Sequence, residues 1–329
     1  MRDLRRRTLV LALVAFLAPL LTVFSAAGQH EEGSREKPSL EKALAELEVP
    51  PPWFETTRIQ YDTQNPWKKA RLEIRRLLGV GKTEQTRRAI KLTYIYKQKD
   101  DIGNGHEFPM YLFMGGELAW ATIAHVKFLE THADGATHAY LSLASCYRHF
   151  GEYKKAENVL QRAMSHLPEP PWRIARRADV HAAFGDLYAE TGALEKAKTH
   201  YRKAIDLYPK SDQPYGRHLL KRRADKVQSR LDRLTRGSLE GTRLRDGTYQ
   251  GRSLGYNKEI RVKVQVSAGR IADIKVDHQE KIDLNATTII PKRIVEKQSL
   301  DVDGITGATV TKQAIVDGTY QALKRAGLR

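Results

Sequence analysis

Apolar residues at Trp67, Ala70, Ile74, Leu77 and Leu78 recur every three or four positions and stop at Gly79, which predicts a helix with one buried stripe and a glycine stop. Asn65-Pro66 ahead of them offers a capping side chain and a proline suited to the first helical position. Residues 118–129 are apolar on nearly every side, with Trp120, Ile123, Val126 and Phe128, as in a helix packed between others. The stripe Leu220, Ala224, Val227, Leu231 and Leu234 predicts another helix. After Arg245 the period falls to two. Residues 246–251 open one strand, Ile260, Val262, Val264 and Val266 alternate through a second, Ala268-Gly269 turns, and Ile271, Ile274 and Val276 begin a third. A short helix is expected after Pro291, through Ile294 and Val295, and an amphipathic helix with Ile315, Tyr320 and Leu323 closes the chain. The expected fold is multidomain: an all-α region over 65–236, then a small α+β domain over 244–327.

Within the helical region the chain repeats itself. From Thr137, the residues Tyr140, Leu143, Ala144, Tyr147, Gly151, Tyr153, Ala156, Leu160, Ala163 and Pro168 fall at the spacings of a tetratricopeptide repeat. From Ala178 the same places hold His181, Phe184, Gly185, Tyr188, Gly192, Leu194, Ala197, Tyr201, Ala204 and Pro209. Small residues are needed where the two helices of a unit touch, and aromatics fill the neighbouring holes. The chain therefore resembles tetratricopeptide-repeat proteins over 137–170 and 178–211, with an insert around Glu169-Pro170-Pro171-Trp172. Two units bury little surface alone, so the upstream helices and the stripe at 220–234 are the expected caps. The inner face would present His138, Leu141, Ser142, Ser145, Arg148 and His149 from one unit, and Asp179, Ala182, Ala183, Asp186, Ala189 and Glu190 from the other. A groove basic in one half and acidic in the other suits a peptide or protein partner; a purely structural spacer is the alternative.

Composition sharpens this picture. With 329 residues, 41% hydrophobic and 29% charged, the chain can bury a core and has room for about two domains. Arg2, Arg5, Arg6 and Arg7 precede an apolar run over 8–24, and Ser25-Ala26-Ala27 follows, the pattern of a secretory signal peptide over 1–27. The run is also near the lower limit for a bilayer span, so an uncleaved anchor is the alternative. Residues 28–64 are polar, then proline-rich at Pro50-Pro51-Pro52, and read as a linker with one short helix. A single cysteine, Cys146, excludes an internal disulfide framework or a multi-cysteine metal site. The net charge is +17, and residues 215–245 hold ten Lys/Arg against three Asp/Glu. A solvated basic outer face is the default expectation there, and attraction to an anionic membrane surface is the sharper one. Nucleic acid is not expected as a partner, because an exported protein meets little of it and no aromatic platform is interleaved with these charges.

Two stretches carry candidate chemistry. Gly79-Val80-Gly81-Lys82-Thr83 suggests a phosphate loop, but Arg76 stands where that motif needs glycine and no apolar strand precedes it, so a turn between helices is expected. The stretch over 303–311, with Asp303, Thr306, Gly307, Ala308, Thr309 and Thr311, runs straight into a helix. Gly307 and Ala308 keep bulk away from the turn, and three hydroxyls stand where unpaired backbone N–H groups favour an anion such as a phosphate. Threonines at such a place also serve as ordinary caps.

The pattern D-x-x-[ST]-G-A-T-x-[ST], following a G-x-Y hairpin, resembles the FMN-binding domain that carries covalent flavin in sodium-pumping NADH:quinone oxidoreductases and in Rnf complexes. That resemblance covers about a quarter of the chain. It implies FMN joined by a phosphoester to Thr309, with Asp303, Thr306, Gly307, Ala308 and Thr311 forming the recognition motif. It also implies a flavin transferase that uses FAD as donor and a bacterial envelope location, and it leaves the redox partner open; a redox protein or membrane reductase docked by the repeats is the expectation. Extracytoplasmic electron transfer is the first functional expectation. A repeat-based scaffold with a reversible or vestigial flavin domain is the second. An enzyme reducing a small acceptor would need a pocket over the flavin ring.

Overall fold

The computed structural model describes residues 38–328, apart from Gly237, Ser238, Glu240, Gly241, Asn257, Lys281, Asp303, Thr306 and Gly307. The expected leader at 1–27 lies outside the described residues, as do Asp303, Thr306 and Gly307 of the motif. Among the described residues no helix is long and apolar enough to cross a membrane.

The chain is helical up to Arg236 and adds one small sheet after it. Within the stretch read as linker, α1 (Leu40–Ala45) and α2 (Trp53–Thr56) are packed down, because Leu40 and Phe54 are buried beside Ile90, Trp120 and Cys146. Next come α3 (Trp67–Gly79), α4 (Thr83–Gln98), α5 (Glu107–Gly115) and α6 (Leu118–Thr131). Helix α3 starts and stops where its apolar period predicts, but Asn65 does not cap it. Pro66 holds the cap position in extended conformation, and the Asn65 amide instead donates to the Asp62 carbonyl at 3.0 Å.

The two repeats are α7 (Thr137–His149) with α8 (Tyr153–Ser165), and α9 (Arg173–Glu190) with α10 (Leu194–Leu207). Gly151 and Gly192 turn each pair with φ of +74°, a conformation that L side chains disfavour. At Gly185 a Cβ would fall 2.3 Å from the Tyr201 ring, so the small residue there is a packing requirement. Helix α9 begins five residues before the second repeat's expected start at Ala178. Arg173, at its first position, bonds the Pro168 carbonyl at 3.2 Å and the Glu169 carboxylate at 2.7 Å, folding the insert onto the helix. A 3-10 turn (Tyr208–Lys210) leads to α11 (Arg217–Arg236), whose Leu220, Ala224, Val227 and Leu231 cap the array.

The C-terminal module is an antiparallel sheet of β1 (Gly247–Leu254), β2 (Glu259–Ser267) and β3 (Arg270–Asp277) in sequential order, covered by α12 (Ala286–Lys297) and α13 (Thr309–Arg325). Helix α12 does not wait for Pro291. It starts five residues earlier and runs through the proline, with Ile290, Pro291 and Ile294 buried, so packing offsets the missing backbone donor. Nor is α13 amphipathic: ten of its seventeen residues are buried, because it lies on β1 and β2 with α11 and α12 beside it. Its backbone touches the sheet. A Cβ on Gly251 would sit 1.9 Å from the Gly318 carbonyl oxygen.

The module meets the helical array at both ends. At one end Ile282 is buried among Trp67, Ile74, Leu77 and Tyr111, and the Asn285 amide donates to the Gly81 carbonyl at 3.4 Å. At the other end α11 is joined to α13 by polar contacts. Arg233 pairs with Asp317, Arg230 donates to Gln313, Lys324 pairs with Asp232 at 3.1 Å, and Gln321 donates to Ser229 at 3.1 Å. This corrects the expectation of a basic outer face in part, since Arg217, Lys221 and Arg222 are exposed but four other cations are not. Arg223, Lys226, Arg230 and Arg233 turn inward, drawn by Asp179, Asp186, Asp317 and the Leu254 carbonyl.

Candidate functional site

Thr309 is the first residue of α13 and is exposed. The first intrahelical bond runs from the Lys312 N–H to the Ala308 carbonyl at 2.9 Å, so the amides of residues 309–311 have no carbonyl within the helix, and among the described residues no side chain caps them. Ala308 is buried and turns on a bond from its N–H to the Ile305 carbonyl at 2.9 Å. Thr311 is buried as well, and its hydroxyl is committed, donating to Glu280 at 3.0 Å. Glu280 also accepts from the backbone of Tyr256 at 2.9 Å and Lys258 at 3.3 Å, which ties the β1–β2 turn to the start of α13. Of three motif threonines, then, Thr309 presents its side chain outward, Thr311 anchors a loop, and Thr306 is not among the described residues.

Residues 308–311 and Gln313 form one wall of a cavity of about 610 Å³, inside the roughly 300–1,000 Å³ typical of small-molecule sites. The opposite wall is the inner face of the repeats. His138, Leu141, Ser142, Ser145 and Arg148 of α7 line it, with Asp179, Ala182, Ala183 and Asp186 of α9, nine of the twelve positions expected from sequence. Leu219, Arg223, Lys226, Val227 and Arg230 of α11 form a third side, spaced to share one helix face. Met110, Phe113 and Met114 of α5, with Leu254 and Tyr256, add apolar surface.

The acidic half of the groove is engaged by α11. Asp186 accepts from Arg230 at 2.9 Å and from the Tyr201 hydroxyl at 2.8 Å; burial would raise its pKa, but Arg230 and then Arg148 outweigh that and hold it below the usual aspartate value. Asp179 accepts from Tyr208 at 2.9 Å, Arg176 at 3.0 Å and Arg223 at 3.4 Å. Six cations and three carboxylates face the cavity in all; most of the cations are already paired with carboxylates, which leaves a modest positive excess that favours an anion. The protonated form of its histidines is disfavoured by burial. Burial pushes His125 down to about 3 and His138 to about 4, and lowers His106. His125 is 1% exposed, and among the described residues neither ring nitrogen has a hydrogen-bond partner. Sequence reasoning missed His125, Lys226, Arg230 and Glu280. A charged residue inside the α11 stripe was a usable signal for the arginine and lysine; none marked the other two.

Residues 255–324 match the profile of the FMN-binding domain, and residues 137–165 and 178–211 match that of the tetratricopeptide repeat. The C-terminal module is thus an FMN-binding domain. Over 84 residues the chain is 38% identical to an NADH:acrylate oxidoreductase of Vibrio harveyi, covering 25% of this chain and 8% of that protein. No solved structure matches. The lining of this cavity suits the cofactor. The FMN-binding domain contributes an exposed threonine and helix-start amides that no side chain among the described residues caps, a place suited to a phosphate, while the helical array contributes the cations and the His125 imidazole.

Proposed function

We propose that the protein is an exported flavoprotein that carries FMN covalently through a phosphoester to Thr309 and transfers electrons outside the cytoplasm. The observation that carries this reading is the contrast between Thr309, exposed on the cavity wall at the first position of α13, and Thr311, buried and bonded to Glu280. Attachment requires a free hydroxyl. In the step, Thr309 Oγ1 forms a bond to the flavin-side phosphorus of FAD, the phosphoanhydride P–O bond breaks, AMP leaves, and the hydroxyl proton passes to solvent; nothing is oxidised or reduced. A flavin transferase supplies the donor.

Once attached, FMN supplies one- and two-electron redox chemistry. The chain's part is to hold it. The α13 amides and Thr309 fix the phosphate, the cations lining the cavity offset its charge, and a covalent tether keeps the cofactor where a dissociating one would be diluted away. The FMN-binding domain and the oxidoreductase named among its relatives support redox work, and the basic leader pattern supports export. The electron partner is a redox protein or a membrane reductase.

The test is the intact mass of the chain produced with a flavin transferase in an exporting host. The wild type gains the mass of FMN less one water. Thr309→Val folds and gains nothing, since the lost hydroxyl contributes about 1 kcal/mol at most to the helix start. Flavin mapped to another threonine, or a loaded Thr309→Val chain, overturns the assignment; an unloaded wild type favours the scaffold alternative.

A further inference from the structure

We infer that the tetratricopeptide groove houses the isoalloxazine ring of the protein's own FMN, with His125 pairing to the polar edge of that ring. This rests on the FMN reading above. The groove positions of α7 and α9 and the attachment residue Thr309 line one cavity, so a cofactor fixed at Thr309 has the inner face of the repeats as its facing wall. A peptide would need the acidic side chains Asp179 and Asp186, but both are engaged by arginines of α11.

The ring's chemistry answers what the groove leaves open. A neutral imidazole offers one donor and one acceptor, and among the described residues His125 holds both without a partner at 1% exposure, a costly state unless a ligand completes it. The pyrimidine edge of isoalloxazine alternates acceptor, donor and acceptor, and can take one of these two bonds, the imidazole nitrogens diverging too widely to share one edge. Its apolar faces suit Leu141, Phe113 and Val227 on the surrounding helices. Along α11, Arg223 stands seven residues from Arg230, roughly 10 Å at the helical rise, so the cationic wall runs past the phosphate end into the groove.

The experiment uses the full chain loaded with FMN, with iodide quenching of flavin fluorescence reporting ring exposure and intact mass reporting attachment. The loaded wild type is expected to be quenched several-fold less than free FMN. Ala183→Arg and Ser142→Tyr each fill the groove; in whichever keeps its helical circular dichroism, quenching rises toward the free value while the mass increment stays. A wild-type ring quenched like free FMN, or quenching unchanged by the groove-filling variant, overturns the inference. If the wild type carries no covalent flavin, the reading of Thr309 fails separately. The groove is then tested with free FMN titrated into the unmodified chain. Binding is expected, and His125→Leu weakens it about tenfold; no binding, or equal binding by that variant, overturns the proposal.

Discussion

Thr311 and Lys226 show how single side chains around the site hold their positions by different means. The Thr311 hydroxyl is buried against Glu280, so Thr311→Val removes one bond from a carboxylate that keeps two backbone donors. The expected loss is about 1 kcal/mol in chemical denaturation, with flavin still mapped to Thr309. Lys226 donates to the Leu254 carbonyl at 2.8 Å, and among the described residues no carboxylate pairs with it. Burial and then Arg230 push its pKa from 10.5 down to about 8, against the pull of Asp317, Asp186 and Glu280. The native state therefore gives up this proton before the unfolded chain does, and its contribution to stability rises with pH across that window. Compared by denaturation across the same window, Lys226→Met should lose ground to the wild type as pH rises. The motif around Thr309 stood out in the sequence because it is contiguous. Glu280 was not, standing 31 residues from the hydroxyl it accepts from, and a lone histidine such as His125 in an apolar helix carries no periodic mark.

Elements were legible wherever period alone decides them. The stripes of α3 and α11, the paired helices of the repeats and the alternation of β2 all follow from spacing. Starts were less legible, since α9 gains its early turn from Arg173 closing on Glu169, and α12 tolerates Pro291 because its neighbours pack around it. The charge of α11 misled for a related reason: its apolar stripe is visible, but the carboxylates that draw its arginines inward lie on α9 and α13. Two substitutions test the packing. Gly251→Ala pushes a Cβ against the Gly318 carbonyl and should cost about 3 kcal/mol or more. Ala197→Leu, at a position with no exposure between α9 and α10, should cost about 1–3 kcal/mol and leave flavin content normal. Thermal or denaturant unfolding reads both.

For the whole molecule, the change of period after Arg245 correctly separates helices from sheet but says nothing of how the module spans the groove. Asp317, fully buried in α13, faces Arg233 and, at 4.0 Å, Arg230. Removing it takes the partner of the partly exposed Arg233, while Arg230 keeps Asp186, so Asp317→Ala should cost about 1.5–3 kcal/mol. Followed by tryptophan fluorescence for the helical part and by bound flavin for the sheet, the wild type should unfold in one transition and the variant in two. The two attachments of the module also differ in kind. Around Ile282 the contact is greasy, whereas between α11 and α13 it is made of charge pairs and amides. Salt weakens the second modestly, its pairs being partly buried, and does not weaken the first. The module accordingly hangs from one edge and fastens at the other, and admitting a bulky cofactor asks only the fastener to let go.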